Sequence, residues 1–316
     1  MHFEEKRVQI KLIDPSDDTY RITTDSGIDR LIDSVQTVGL INFPILIRKD
    51  PRFTIVSGFR RIAACTAIGW TRIDARIVKA PAALIDAANL AISENIFQRT
   101  LNLIEQSRVV LMLSKLYNSD YSLAEKASNF GLPNNLSFIK KIKRICLLPQ
   151  PIQSGLLSNA ISFVMALELG TLPEEIGIIL ANLFIRLKLS LNKQREIMTY
   201  VQEISLRENI PILKVLEEGG IGKILDREDL DRREQTQRIR SYLEQRRFPT
   251  IIKRKKKIEN FINNLKLGGN ADLIPAKYFE DPTFTLNLHF KDSEGLKRHK
   301  VTLDKVIQNF NHETIA

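Results

Sequence analysis

Short β-rich runs alternate with amphipathic helical stripes over the first hundred residues. Residues 8–13 alternate apolar and polar side chains as an edge strand does. The apolar positions from Ile28 to Val35 repeat at the spacing of one helix face, and Gly39 follows them. Further strands are predicted at 43–47, 53–56 and 73–78, and further helices at 60–68 and 82–96. Residues 1–100 are therefore predicted to form a small α+β domain.

The pattern becomes wholly helical over residues 101–218. Asn102 is a plausible N-cap, with Glu105 at the position that completes a capping box. Residues 122–131 form a short helical stretch that ends in glycine, and a second stretch covers 135–145. Ala127 is small where two such helices would cross closely. This spacing predicts an all-α domain that contains a helix-turn-helix.

The residue composition of the last third of the chain changes twice. Residues 219–250 are dense in both signs of charge, which is typical of an exposed helix or a linker. Residues 251–316 begin with the basic run 253–257 and contain an alternating strand at 283–290 followed by a helix. Residues 271–274 and a second copy of the chain are the two candidate partners of that strand. We predict a small α/β C-terminal module.

Composition narrows the class of protein. A chain of 316 residues with 43% hydrophobic side chains is long enough for two or three domains with sizeable cores. Its N-terminal residues lack a signal-peptide pattern, and no apolar run approaches the roughly 18 residues that cross a membrane. We therefore expect a cytoplasmic protein without membrane contact. Cys65 and Cys146 are expected to be buried thiols, and the four histidines lack zinc-ligand spacing. The net charge of +10 favours a polyanionic partner.

A glycine turn at the end of the strand 53–56 is the main candidate for chemistry. Gly58 allows a close turn, and Arg60 and Arg61 follow in the first turn of a helix. Backbone N–H groups at such a turn bind anions, and guanidinium groups grip phosphate oxygens. Because the helix dipole disfavours cations at this end, two arginines here indicate an anionic ligand. The alternative is an ordinary strand-to-helix corner with solvated arginines.

Three ordered motifs carry a family resemblance over about residues 8–169. They are Val38-Gly39-Leu40-Ile41 followed by Pro44-Ile45-Leu46, then Val56-Ser57-Gly58-Phe59-Arg60-Arg61, and then Glu94-Asn95 followed by Arg99, Leu101, Asn102 and Glu105. Together these motifs resemble those of the ParB/sulfiredoxin-like superfamily and, within it, of the ParB-type partition proteins. The expected fold is thus a ParB/sulfiredoxin-like domain followed by a ParB-type helix-turn-helix.

The resemblance implies a pocket for CTP and Mg²⁺. By this resemblance the nucleotide-binding residues are Gly39, Leu40, Gly58, Phe59, Arg60, Arg61, Glu94, Asn95 and Arg99. Glu94 and Asn95 would also reach Mg²⁺ through the bound nucleotide, which suits the preference of this hard cation for oxygen ligands.

Two positions depart from the family pattern. Phe59 stands where the family has an acidic residue, and Gln98 stands where it has an arginine, with Arg99 one position later. Hydrolysis is therefore expected to be slow at most, and an inactive pocket on a retained fold is the alternative. Sulfiredoxin chemistry is not expected, because the loop contains no cysteine. Nuclease activity is not expected either, because no paired carboxylates support it.

The helix-turn-helix supplies the candidate DNA contacts. The outward-facing polar residues are Asn134, Asn135, Ser137, Lys140, Lys141, Lys143 and Arg144. Lysine and arginine suit phosphates, whereas Asn134, Ser137 and Lys140 suit base edges. The alternative is a solvated basic face on an ordinary bundle helix.

These expectations combine into one function with one rival. The resemblance implies a DNA-binding protein that acts as a CTP-gated clamp in the partition of a chromosome, plasmid or prophage. Its implied partners at the nucleoid are double-stranded DNA and a second copy of the chain, with a ParA-like ATPase as a further candidate. The rival is a sequence-specific DNA-binding regulator or adaptor whose pocket is inactive.

Overall fold

The computed structural model describes residues 3–78, 84–218, 220–275 and 283–309. The predicted helix start at residue 82, the glycine at 219 and the last apolar position of the final helix at 310 lie outside the described residues. The chain forms two compact units that divide between Gln194 and Arg195. No described helix has both the length and the apolar character that crossing a membrane requires.

A five-stranded mixed sheet forms the first part of the N-terminal unit. Its elements are β1 (Phe3–Gln9), β2 (Ile13–Asp14), α1 (Asp29–Val38), β3 (Ile45–Lys49), β4 (Arg52–Ser57), α2 (Phe59–Ala67), β5 (Arg72–Val78) and α3 (Leu84–Ile96). The strand order is β1-β5-β3-β4-β2. β5 pairs antiparallel with β1 and parallel with β3, and β4 pairs antiparallel with β3 and parallel with β2.

The predicted strand at 8–13 is divided in the structure. A 3₁₀ turn at Ile10–Leu12 separates β1 from β2, and the two strands lie at opposite edges of the sheet. Val8 and Ile13 are five positions apart, so an unbroken strand would point them to opposite faces. The turn brings both side chains into the same core, where they are 3% and 4% exposed. Alternation alone therefore could not locate this break.

Both faces of the sheet are buried. One face packs on α1 and α2 around a core that includes Leu46, Ile55 and the Cys65 thiol, whose pKa is raised by burial. The opposite face, which includes Ile45 and Val56, packs on α3. That second core continues into the helices that follow, so apolar packing runs without interruption across residue 100.

The helical part of the N-terminal unit comprises seven helices in the described residues. They are α4 (Leu103–Ser114), α5 (Asp120–Ser128), α6 (Leu136–Ile142), α7 (Gln150–Leu157), α8 (Phe163–Leu169), α9 (Glu174–Leu187) and the start of α10 (Leu191–Glu208), with a 3₁₀ turn at Ile145–Leu147. The predicted capping box is confirmed, because Asn102 and Glu105 each bond the other's backbone N–H. The predicted helix at 135–145 is shorter than expected. Its apolar stripe of Leu136, Ile139, Ile142 and Ile145 was expected to be buried, but Leu136 is exposed.

The C-terminal unit begins with a helical layer and ends in a small mixed module. After α10 come α11 (Ile212–Glu217), α12 (Ile221–Leu225), α13 (Arg232–Arg247), α14 (Pro249–Leu265), β6 (Ala271–Pro275), β7 (Phe284–Leu288) and α15 (Ser293–Asn309). α13 pairs its charges with α10, as in the Arg240–Glu196 ion pair at 2.9 Å. β6 and β7 form an antiparallel pair, so the predicted strand finds its partner within the chain.

Candidate functional site

The glycine turn has the geometry that an anion site requires. β4 ends at Ser57, Gly58 adopts a left-handed conformation with φ of +96°, and α2 begins at Phe59. A Cβ atom on Gly58 would lie 2.8 Å from Cβ of Pro44. Because both the backbone angle and the close approach exclude a side chain, glycine is required at this position.

Arg61 is drawn inward at this turn. Its Nη1 donates to the carbonyl oxygens of Asn42 at 2.8 Å and Phe43 at 3.1 Å. Its Nη2 lies 4.0 Å from the carboxylate of Glu94. Burial lowers the pKa of Arg61, partly offset by the nearby Glu94 carboxylate. A half-buried guanidinium that keeps its charge is a strong attractor for a ligand anion.

Arg60 points to the other side of the turn. Its Nε donates to the carbonyl oxygen of Gly27 at 2.8 Å, and its Nη1 lies 2.7 Å from the carboxylate of Asp25. The side chain is 35% exposed, so it remains accessible from solvent. Both motif arginines thus flank the turn, and each is held by acceptors of the protein.

The end of α3 brings the third motif, Glu94-Asn95, next to the second motif at the glycine turn. The Ser57 hydroxyl donates to Oε2 of Glu94 at 3.3 Å. Nδ2 of Asn95 donates to the carbonyl of Ala91 at 2.8 Å. The Glu94 carboxylate and the Asn95 side-chain oxygen are the kind of ligands that Mg²⁺ takes from a protein when phosphates supply the rest. The described residues contain no cluster of three or more metal-ligating side chains. As oxygen ligands, Glu94 and Asn95 fit a cation whose remaining ligands are phosphate oxygens.

Arg99 is tied to a buried carboxylate next to the cavity. Its two terminal nitrogens bond the two oxygens of Glu105, each at 2.6 Å. Glu105 is 1% exposed and also accepts from the backbone N–H groups of Thr24 and Asn102. Burial alone would raise the pKa of Glu105, but the Arg99 guanidinium and these N–H donors outweigh burial and lower it.

These groups line one cavity of about 370 Å³, within the size range of small-ligand sites. The charged side chains in its wall are four arginines and one glutamate: Arg60, Arg61, Arg76, Arg99 and Glu94. Gly58, Phe59 and Asn95 line it as well. The lining side chains thus carry more positive than negative charge and suit an anion, although Arg60, Arg76 and Arg99 each pair with a carboxylate outside the wall. Gly39 and Leu40 are not among the lining residues, although Asn42 and Phe43 of the same segment are.

Phe59 forms part of the wall and part of the core. Its ring packs against the core between the sheet and α2, and the guanidinium of Arg21 lies 5.5 Å from the ring centroid. The residue that replaces the acidic position of the motif thus contributes an apolar surface to the cavity.

Sequence reasoning missed several lining residues. Tyr20, Thr23 and Arg76 lie in the cavity wall, although no motif includes them. Arg76 reaches the site because β5 pairs with β3 in the middle of the sheet, and its backbone N–H bonds the carbonyl of Pro44. No local signal marks such a residue, since strand pairing brings it there.

The helix-turn-helix presents the second candidate surface. α5 and α6 pack through Ala127, Ile139 and Ile142, which are fully buried. The Ser107 hydroxyl of α4 donates to the carbonyl of Ile142 at 2.5 Å and accepts from the Cys146 N–H at 2.8 Å. The end of α6 is thereby fixed to α4.

The predicted DNA-contact residues lie together on the outer side of this pair. Exposed members are Asn134, Asn135, Ser137, Lys140, Lys141 and Arg144, and Lys143 is half-buried. Oδ1 of Asn135 accepts from the Phe138 N–H at 3.0 Å and so caps α6. Lys140 lies 3.2 Å from the carboxylate of Asp120. Lys141 and Arg144 are thus the exposed cations that a phosphate backbone would meet.

Comparisons with known proteins agree with the motifs. The family model "ParB N-terminal domain" matches residues 3–96. The nucleoid occlusion protein of Bacillus cereus (strain B4264) is 32% identical over 140 residues, 44% of this chain and 46% of that protein. The corresponding protein of Bacillus thuringiensis (strain Al Hakam) is 31% identical over 140 residues, again 44% of this chain and 46% of that protein. The match thus spans a little under half the length of these curated relatives.

Solved structures give weaker similarity. C-terminally truncated ParB from Caulobacter crescentus, complexed with CTP-γ-S, aligns with a TM-score of 0.27 and 19% identity over 58% of this chain and 99% of that one. The same truncated protein complexed with the centromeric parS site aligns with a TM-score of 0.32 and 18% identity over 60% of this chain and 96% of that one. The family match of residues 3–96 and the three motifs within and next to it lead to one conclusion: this part of the chain is similar to the ParB N-terminal domain.

Proposed function

We propose that this chain is a DNA-binding protein that acts as a CTP-gated clamp in the partition of a chromosome, plasmid or prophage. One observation carries the proposal. Motif residues from distant parts of the chain, Gly58 with Arg60 and Arg61, Glu94 with Asn95, and Arg99, line a single cavity whose charged wall is almost entirely cationic.

Each group has a role that matches its chemistry. Arg60 and Arg61 bind phosphate oxygens together with the N–H groups at the Gly58 turn. Glu94 and Asn95 hold Mg²⁺, which neutralises charge on the phosphates. Gly39 and Leu40 belong to the segment whose Asn42 and Phe43 line the cavity, and in this proposal that segment lies next to the nucleotide.

DNA is bound by the helix-turn-helix. In this proposal Lys141, Lys143 and Arg144 contact phosphates, while Asn134, Ser137 and Lys140 approach base edges. Asn135 belongs to the same surface at the start of α6. Such a protein would be nucleoid-associated in the cytoplasm. Other partners in the proposal are a second copy of the chain and, for transport of DNA, a ParA-like ATPase.

The clamp requires coupling between the two sites. The core beneath the cavity continues into α4, α5 and α6, so a rearrangement of α3 is transmitted to the helix-turn-helix through packed side chains. CTP drives closure by binding more tightly to the closed state of paired N-terminal domains. We propose nucleotide binding rather than hydrolysis as the working event, because Arg99 is occupied by Glu105 and Gln98 replaces the family arginine.

Calorimetric titration of CTP with Mg²⁺ tests the pocket. We expect selective binding of CTP over ATP and GTP, and at least a tenfold loss of affinity in Arg60→Ala, about 1.4 kcal/mol or more. Arg48→Ala is the matched control, because Arg48 is an exposed arginine of the same domain outside the cavity. Failure of every nucleotide to bind, with and without DNA, would contradict the clamp.

The rival function is a DNA-binding regulator or adaptor with an inactive pocket. One observation favours it: Arg60, Arg61 and Arg99 already have acceptors within the protein. Retention on closed circular DNA separates the two functions. A clamp requires CTP for salt-resistant retention, whereas a regulator is retained to the same extent with and without CTP.

A further inference from the structure

Residues 23–27, the 23–27 segment, are held by two anchors beside the cavity. Thr23 lines the cavity. At the first anchor, Nη1 of Arg108 donates to the carbonyl of Thr23 at 2.6 Å, and the Thr24 N–H donates to Glu105 at 2.9 Å. Both partners belong to α4, so this end of the segment is fixed to the helical part of the unit.

The second anchor is the cavity arginine itself. Arg60 donates to the carbonyl of Gly27 and pairs with Oδ2 of Asp25. Oδ1 of Asp25 accepts from the Gly27 N–H at 2.9 Å, so one carboxylate both shapes the turn and occupies the arginine. The end at 25–27 is therefore held by the group that a ligand phosphate would use.

The acceptors of the cavity arginines differ in how readily a ligand can displace them. Glu105 is 1% exposed and receives bonds from Arg99 and two backbone N–H groups, so its displacement would leave a buried charge unpaired. Asp25 is 56% exposed and can be rehydrated when it leaves Arg60. Exposed ion pairs contribute little and are screened by salt. Asp25 is thus an exchangeable partner, and so is Glu5, which is 60% exposed and accepts from Nε of Arg76 at 3.2 Å.

We propose that Asp25 is an internal anion that competes with the ligand for Arg60 and sets the affinity threshold of the cavity. The inference rests on the proposed function. It adds that Asp25 determines how many phosphate groups a ligand needs in order to bind. Every anion that uses Arg60 must first displace the Asp25 carboxylate. A triphosphate overcomes this cost through further contacts with Arg61 and Arg76, whereas a monophosphate lacks those contacts.

Displacement has a structural consequence. When a phosphate takes Arg60, the end of the segment at 25–27 loses its anchor, whereas the end at 23–24 stays attached to Arg108 and Glu105. The attachment of residues 25–27 to Arg60 then depends on whether the cavity is occupied.

The decisive variant is Asp25→Asn in the full chain. Asparagine keeps a side-chain oxygen for the Gly27 N–H and removes the negative charge, so the turn is preserved. We expect CTP with Mg²⁺ to bind about fivefold more tightly in calorimetry, which corresponds to about 1 kcal/mol. Asp18→Asn is the matched control, since Asp18 is an exposed aspartate of the same domain that pairs with Arg21 outside the cavity wall.

Hydrogen exchange of the amides at 25–27 provides a second readout. CTP should increase exchange there in the unaltered protein, and Asp25→Asn should show increased exchange without nucleotide. Normal CTP affinity in Asp25→Asn, or equal tightening in Asp18→Asn, would overturn the inference and leave the proposed function standing. Failure of the unaltered protein to bind any nucleotide would overturn both.

Discussion

Glu105 connects local helix chemistry to the cavity. It completes the capping box of α4 with Asn102, and it also accepts from Thr24 and from both terminal nitrogens of Arg99. The capping role was predictable, because it depends on a spacing of three residues. The contact with Thr24 was not, because it joins residues that are 81 positions apart. One carboxylate therefore stabilises a helix start, a pocket arginine and a loop.

Removing the charge of Glu105 should destabilise the N-terminal unit. We expect Glu105→Gln to lower the free energy of unfolding by roughly 3 kcal/mol, because it leaves Arg99 and buried N–H donors poorly paired. The midpoint of urea unfolding measures the effect. Glu94→Gln, at a cavity carboxylate that is 35% exposed, should change the midpoint far less. Equal effects of the two variants would contradict this role.

The same carboxylate predicts an acid dependence of stability. The pKa of Glu105 is below its ordinary value of 4.5 in the folded protein. Its stabilising contribution is therefore complete above that value and is lost as pH falls through the lower folded pKa. Urea unfolding between pH 7 and pH 3 should show this loss in the unaltered protein and a smaller loss in Glu105→Gln. Parallel pH profiles would disprove the assignment.

At the scale of elements, periodicity located most helices and strands but not their partners. The strands at 43–47, 53–56 and 73–78 were predicted close to β3, β4 and β5. Their order in the sheet depends on long-range pairing, which alternation does not encode. The strand at 283–290 is a further example: sequence left two partners open, and β6 is the one in the structure.

α6 is the element on which the proposed DNA binding depends. It is only seven residues long, and its position is fixed by the buried side chains Ile139 and Ile142 and by the Ser107 bond. The exposed cations Lys141 and Arg144 were predicted from sequence. The 3₁₀ turn that follows α6 was not, because the apolar stripe continues through it to Ile145.

Substitution of these cations should weaken DNA binding uniformly across sequences. We expect Lys141→Ala and Arg144→Ala each to reduce the slope of log affinity against log salt by about 1 for duplex DNA. Fluorescence anisotropy over a salt series measures the slope. Lys193→Ala, at an exposed lysine outside this face, is the control. Unchanged slopes in both variants would exclude α6 from the phosphate-contacting surface.

At the scale of the whole molecule, the net charge of +10 is consistent with a polyanionic partner but does not say where that partner binds. Folding places four arginines around one cavity and exposes further cations on α6. Sequence motifs predicted both clusters in part. They did not predict the uninterrupted core across residue 100, because its contacts join helices and strands that lie far apart in the chain.

The C-terminal module provides the basis for a prediction about assembly. Phe261, Leu265 and Leu273 form its small core, and α15 exposes Val301 and Ile307 at 74% and 70%. Such exposed apolar side chains on a small module favour self-association. We expect the full chain to sediment as a dimer of twice 36.2 kDa, and a chain ending at residue 250 as a monomer. Sedimentation velocity measures both, and a monomeric full chain would refute the dimer.

The placement of β1 has a consequence for synthesis on the ribosome. Among the strands of this sheet β1 emerges before the others, but its partner β5 ends at Val78. At about 5–20 residues per second, the first strand waits several seconds with its backbone groups unpaired. The Gly58 turn also emerges before Glu94 and Arg99 can complete the cavity. If the proposed function holds, a nascent chain can bind the nucleotide only once translation has passed Glu94 and Arg99, which complete the cavity.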